Sequence, residues 1–319
     1  MFKIFLILLS LGVASIVNGQ GGWLLRSAST KADLVAVYFT SQDRGFVAGD
    51  DGYLASTDDG GQTWERYDLK TTASINEIYF RNETNGYLAA GRLLFVTDDG
   101  GRSWRETRIY RNSDFRNGTP ELISIRFSDK KRGLAIGSIV NRDEEVIDSL
   151  VMRTSDGGDT WQRVIIPSKL ELFHLDFNGN SHAWIVGDKG LILATRDGGA
   201  TWVTQNSGAS RALFCVDFRD DNEGYAVGGG GTILRTVDGG DTWIRVPNPF
   251  TETLKRVIFS DDKTGWIVGL KGIVLRTSDK GKTWVRQDFP AKSDIYGLFM
   301  SKKFGWAVGA AGASAEYQK

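Results

Sequence analysis

Arg235-Thr236-Val237-Asp238-Gly239-Gly240-Asp241-Thr242-Trp243 contains one of six copies of a short motif. The copies end at Trp64, Trp104, Trp161, Trp202, Trp243 and Trp284. Each reads Thr-x-Asp-Gly-Gly-x-Thr-Trp, with Ser103 for the second Thr and Lys280 for the first Gly as the departures. Successive tryptophans are 40, 57, 41, 41 and 41 residues apart. A period this regular signals a repeat architecture. An aspartate accepts hydrogen bonds from backbone N–H groups about two residues on, and Gly supplies the positive φ of a tight turn. Each copy is therefore predicted to be a hairpin turn stapled by its own carboxylate: Asp59, Asp99, Asp156, Asp197, Asp238 and Asp279. Six identical aspartates suit six structural staples better than six acids in a reaction.

Working outward, each unit opens with the Trp, passes a variable loop, and reaches an apolar run ending in Phe39, Phe80, Phe127, Phe177, Phe218, Phe259 or Phe299. Six residues later stands Gly, or Ala183 in one unit, opening a second strand; a third leads into the Asp turn. Short alternating strands with Gly-rich turns are an all-β signature. There are seven units and six boxes: Trp23 opens the first with no box before it, and the last box has decayed over Ala313–Tyr317. These complementary ends predict a seven-bladed β-propeller of four-stranded antiparallel blades. The N-terminal strand at Trp23–Arg26 completes the blade formed by residues 295–317 and closes the ring. The propeller is expected to be one domain over residues 20–319, preceded by a signal peptide over 1–19, with Lys3 before the apolar run Ile4–Val17.

Equal numbers of acidic and basic residues, 39 each, argue against nucleic acid as a partner. After signal removal no membrane span is expected, and the chain is read as an exported monomer, secreted or periplasmic. Cys215 is the only cysteine, so there is no internal disulfide. No cysteine near the cleavage site is placed to carry a lipid anchor. Two histidines are too few for a His-rich metal site, and no phosphate loop or nucleophile elbow occurs. No cofactor is expected.

The third unit is 16 residues longer than its neighbours. The excess falls in Ile109–Leu122 and Ser138–Ser149, two loops expected on one face of one blade, opposite the Asp turns. Loops beyond the local norm carry function more often than core positions do.

Two columns of the innermost strands are irregular. Three residues before the Phe stand Ala36, Glu77, Ser124, His174, Cys215, Arg256 and Tyr296; one before it stand Tyr38, Tyr79, Arg126, Asp176, Asp217, Ile258 and Leu298. By period-two alternation they share a face. Glu77, Arg126, His174, Asp176, Asp217 and Arg256 are therefore the candidate channel or ligand residues. A charge-compensated, solvated tunnel is the plainer reading of the same residues. Arg153, Arg235 and Arg276 precede three boxes and are candidates for pairing with carboxylates of a protein client. Exposed pairing encoded by the repeat is the plainer reading of them.

The boxes resemble the Asp-box, or BNR, repeat of sialidases and sortilin-type receptors. The fuller pattern Gly-Trp-Ile-Val-Gly-x-x-Gly-Ile-Val-Leu-Arg-Thr-x-Asp-x-Gly-x-Thr-Trp at 265–284 returns in the same form at 183–202 and 224–243. It resembles the repeat of the photosystem II assembly and stability factor family over essentially the whole mature chain. The resemblance implies a seven-bladed, non-enzymatic, chaperone-like scaffold on the lumenal or periplasmic side, with a membrane-protein subunit as client. The competing reading is a sialidase-type glycoside hydrolase with its site in the channel. That needs an arginine cluster and a Tyr/Glu pair, for which Arg126, Arg256, Tyr38, Tyr296 and Glu77 are the available residues. Against it stand seven units instead of six, no Arg-Ile-Pro segment near the N-terminus, and every Trp accounted for by the repeat.

Overall fold

In the computed structural model, which describes residues 21–115 and 117–319, the six boxes adopt one turn. The predicted signal peptide lies outside the described residues. In the box that ends at Trp243, Asp238 Oδ1 accepts the Thr242 N–H at 2.9 Å and the Thr236 hydroxyl at 2.7 Å, while Oδ2 accepts the Thr242 hydroxyl at 2.6 Å. The carboxylate thus reaches four residues ahead, not two. The leading Thr matters as much as the aspartate. Thr236 Oγ1 accepts the buried Gly240 N–H at 2.8 Å, and Gly240 holds φ +89°. The same Thr–Asp–Gly–Thr circuit recurs at Asp59, Asp99, Asp156, Asp197 and Asp279.

Seven four-stranded antiparallel sheets follow in chain order. From inside outward, blade one is Leu34–Phe39, Gly45–Gly49, Leu54–Thr57 and Glu65–Tyr67. Blades two to six repeat this order with innermost strands Ile75–Phe80, Thr119–Phe127, Leu172–Asn178, Leu213–Phe218 and Leu254–Phe259. Blade seven runs Ile295–Met300, Phe304–Gly309 and Ala313–Gln318, and takes its outermost strand, Gly22–Ser27, from the other end of the chain. Trp23 pairs with Tyr317 and Arg26 with Ser314, so the ring is closed by the N-terminal strand. Trp23 is buried against Trp266, Phe289 and Tyr317. Among the described residues no helix is long and apolar enough to cross a membrane.

The core lies between blades. The Phe closing each innermost strand lays its ring over the Gly opening the second. A Cβ on Gly224 would stand 2.5 Å from the Phe218 ring, and one on Gly45 would stand 2.4 Å from the Phe39 ring. Phe218 also stacks on the fully buried Trp184 of the preceding blade, ring centroids 3.4 Å apart. Interfaces of this kind repeat around the ring: each core cluster draws its buried side chains from two neighbouring blades, and such apolar burial is the main stabilising contribution.

Two local readings need correction. In blade seven the turn after the innermost strand is one residue shorter, so Met300, not Phe299, pairs with Gly305. The two polar columns there pass through Gly297 and Phe299, not Tyr296 and Leu298. The blade-three insertions are not plain loops either. The second lengthens two strands into a hairpin, Gly133–Val140 paired with Val146–Thr154. The first forms the 3-10 turn Asn112–Asp114 and then extends the innermost strand back to Thr119. Ile109, Phe115 and Ile139 are buried in this extension.

Every innermost strand carries a bulge, one residue after its start in six blades and four residues in along the lengthened strand of blade three. Register slips between Leu34 and Ala36, Ile75 and Glu77, and Leu122 and Ser124. It slips likewise between Leu172 and His174, Leu213 and Cys215, Leu254 and Arg256, and Ile295 and Gly297. A bulge re-aims the extra side chain. The seven bulges lie on the face of the turns between second and third strands, as the bond from Asp50 N–H to Asp33 O shows. The boxes sit on the other face, where Gly60 N–H donates to Asp43 O.

Candidate functional site

An innermost strand pairs on one side only, so its other edge leaves backbone N–H and C=O groups facing the channel. Such groups need partners. The irregular columns supply them by reaching sideways to the next blade. Asp176 Oδ2 accepts the Phe218 N–H at 2.7 Å and Asp217 Oδ2 the Phe259 N–H at 3.1 Å. The Tyr38 and Tyr79 hydroxyls donate to the Phe80 and Phe127 carbonyls, both at 3.0 Å. Glu77 Oε2 accepts the Ile125 N–H at 2.8 Å, and the Val216 N–H points at His174 Nδ1 at 3.4 Å.

Glu77, Arg126, His174, Asp176, Asp217 and Arg256 all line one cavity of about 280 Å³ in the channel, together with Cys215. Arg126 pairs with Glu77 Oε1 at 2.6 Å, donates to the Ile125 carbonyl, reaches His174 Nε2 at 3.2 Å and lies over the Tyr79 ring. Arg256 has no carboxylate within ion-pair distance among the described residues.

Burial dominates the electrostatics. It raises Asp176, partly offset by the Phe218 N–H and Arg126. It raises Asp217 further, because the Asp176 charge adds to it. Burial, then the charges of Arg256 and Arg126, hold His174 well below its ordinary range and therefore neutral. Burial pushes the Cys215 thiol up to about 11, which makes it a poor nucleophile. For Arg126 burial works against the charge, but Glu77, Tyr79 and Asp176 together outweigh it and the guanidinium stays protonated.

The three arginines before the boxes are engaged within the ring. Arg235 pairs with Glu223 at 2.7 Å and donates to the Tyr225 hydroxyl. Arg153 Nε donates to the Gly198 carbonyl in the next blade's box at 2.8 Å. Arg276 lies over the Trp266 ring, 5.1 Å from its centroid. Of the three, only Arg235 has a carboxylate partner among the described residues. A sialidase-like grip on a carboxylate calls for three arginines in one pocket; here two, Arg126 and Arg256, line the cavity, and Tyr296 does not line it.

The bulged residues went unnoticed in the sequence. They stand four positions before the closing Phe (or Met300), a variable column inside an apolar strand. Together they surround a second cavity of about 350 Å³ at the channel mouth. Phe173 and Phe214 lie side by side there, with Lys255 Nζ 3.8 Å from the Phe214 ring centroid.

The sequence model of the family described as "Photosynthesis system II assembly factor YCF48" matches residues 18–104, 64–171, 159–248 and 204–293. The chain is similar to the photosystem II assembly lipoprotein Ycf48 of Synechococcus sp. (strain CC9902), 30% identical over 145 residues. That match covers 44% of this chain and spans 39% of the relative's length. Among solved structures it resembles "YCF48 bound to D1 peptide", with TM-score 0.75, 21% identity, and 93% and 97% of the two chains covered. It also resembles YCF48 from Cyanidioschyzon merolae, with TM-score 0.70, 18% identity, and 93% and 98% covered. The virginiamycin B lyase of Staphylococcus aureus shares the fold at TM-score 0.74 and 10% identity, with 94% and 100% covered.

Proposed function

The chain belongs to the photosynthesis system II assembly factor YCF48 family, and from that premise we propose that it is an exported, non-enzymatic scaffold that binds a protein client during assembly of a membrane complex. The observation that carries this reading is the family match, which runs through blades one to six and stops at 293, just before the innermost strand of blade seven. One of the similar structures is of YCF48 bound to a D1 peptide, which suggests a segment of a membrane-protein subunit as the client here. The signal peptide read in the sequence, and the lipoprotein name of the curated relative, support export.

The channel chemistry agrees with a scaffold. Asp176, Asp217, Glu77 and His174 each take a backbone N–H of the next blade, so the groups that could act as acid or base hold the ring together. As the docking face we favour the blade-three extension. It is the longest departure from the repeat among the described residues, and it projects folded strands instead of a slack loop. Its acidic rim faces Arg92 of the neighbouring blade-two turn, within 3.7 Å of Glu121 and 3.5 Å of Glu144, so an acidic client segment can compete for that guanidinium.

The test is fluorescence anisotropy of a labelled D1 peptide titrated with residues 21–319, and with a version trimmed to the repeat norm in 109–122 and 138–149. Binding lost on trimming, with the propeller still folded, supports both client and face. Binding unchanged by trimming moves the face elsewhere on the ring. No binding to either protein removes the D1 segment as the client.

A further inference from the structure

The mouth of the channel has a chemistry that the scaffold reading does not use. A pocket of about 350 Å³ falls within the range of small-ligand sites and is too narrow for a folded partner. Its wall is the ring of bulged side chains, and the wall is not uniform. Blades four and five contribute Phe173 and Phe214, both half-buried, with ring centroids 5.1 Å apart and planes at 43°. Blade six contributes two consecutive cations, Lys255 and Arg256, which both line the pocket.

Neither cation has a carboxylate within ion-pair distance among the described residues. Lys255 sits on the Phe214 ring; its pKa is lowered by burial and then by repulsion from Arg256. Two carboxylates, Asp33 and Asp50, line the same pocket from the blade-one side, and neither reaches ion-pair distance of Lys255 or Arg256. Asp33 Oδ1 accepts the Ala311 N–H at 2.8 Å, and Asp294 Oδ1 accepts the Lys271 N–H at 2.7 Å. Two adjacent, partly desolvated cations beside a pair of aromatic faces leave room for one anionic group, and a planar carboxylate matches the guanidinium fork.

We propose that the channel mouth is a binding site for a small aromatic carboxylate, its head group held between Lys255 and Arg256 and its ring against Phe173 and Phe214. The site opens on the same face of the ring as the blade-three extension, but takes its aromatic rings and cations from blades four to six. Its floor is the Arg256 side chain, which also lines the deeper cavity, so the head group points down the channel and the apolar body stays at the rim.

The probe is 3-phenylpropionate, titrated calorimetrically into residues 21–319 at neutral pH, with 2-phenylethylamine as the cation of similar body. Saturable one-to-one binding of the carboxylate with Kd of about 1 mM or tighter is expected. The amine is expected to bind at least about tenfold more weakly. Arg256→Gln and Lys255→Gln should each weaken the carboxylate about tenfold, and Phe214→Ala should weaken it without restoring the amine. Lys255 is on the rim, so Lys255→Gln carries the test if Arg256→Gln does not fold. The proposal is overturned by absence of saturable binding up to about 10 mM. It is equally overturned by amine binding as tight as the carboxylate, or by a folded Lys255→Gln variant of unchanged affinity.

Discussion

At the residue scale the fold depends on small polar circuits more than on the aspartate alone. Thr236 Oγ1 holds the N–H of Gly240, which is buried. Thr236→Val leaves that N–H without an acceptor, and urea denaturation is expected to show a loss of about 1–3 kcal/mol, whereas Thr236→Ser stays near wild type. Two sets of carboxylates then pull stability in opposite directions with pH. The Thr242 hydroxyl and N–H hold Asp238 at about 2, below the unfolded value near ~3.9. That stability is present above the unfolded value and is lost as pH falls through the folded one. Asp217 is raised instead, chiefly by burial. Its contribution is complete below the unfolded value and is lost as pH rises through its folded one. A melting curve from pH 2 to pH 9 is therefore expected to rise in acid, pass a maximum, and decline toward alkaline pH. Asp217→Asn keeps an oxygen for the Phe259 N–H and should flatten the alkaline decline only. The six aspartates were legible in sequence because each box contains its own partners. The roles of Asp176 and Asp217 were not, because their partners lie a whole blade away, at Phe218 and Phe259.

At the scale of the strand, the Phe–Gly pair is the unit of packing. Gly224→Ala puts a methyl into the Phe218 ring, which the stack on Trp184 keeps from retreating. Calorimetry should register a cost of about 1–3 kcal/mol, with part recovered in the Gly224→Ala, Phe218→Leu double variant. Blade four shows how an alanine is accommodated: Ala183 stands at that position and Phe177 is less buried than most of its counterparts. Strand order and number could be read from the sequence because Phe, Gly and Trp recur at fixed offsets. Blade seven slipped by one because Phe299 imitates the closing Phe while Met300 occupies its place. The bulges were invisible for a different reason. A bulge is a relation between two strands, and the extra residue has no required identity: Val35, Asn76 and Lys255 fill equivalent positions.

At the scale of the whole molecule, closure joins the two ends of the chain in one sheet. Deleting residues 21–27 removes Trp23 from its aromatic cage and exposes the edge of Ala313–Gln318. The truncated protein is expected to melt at least about 10 °C lower and to aggregate, as an open sheet edge invites. A circular permutant cut in the turn at residues 141–145, with residue 21 linked to residue 319, should keep its melting temperature within a few degrees of the uncut form. The paired ends also set how the ring responds to force. Gly22 lies opposite Gln318, so both ends leave the sheet at the same place. Tension between them does not shear the closing strand along its length; it opens the pairs one after another, as a zip opens. A partner that held both ends could part this ring with far less force than its thermal stability suggests, and a load applied between two interior blades would meet much stiffer resistance.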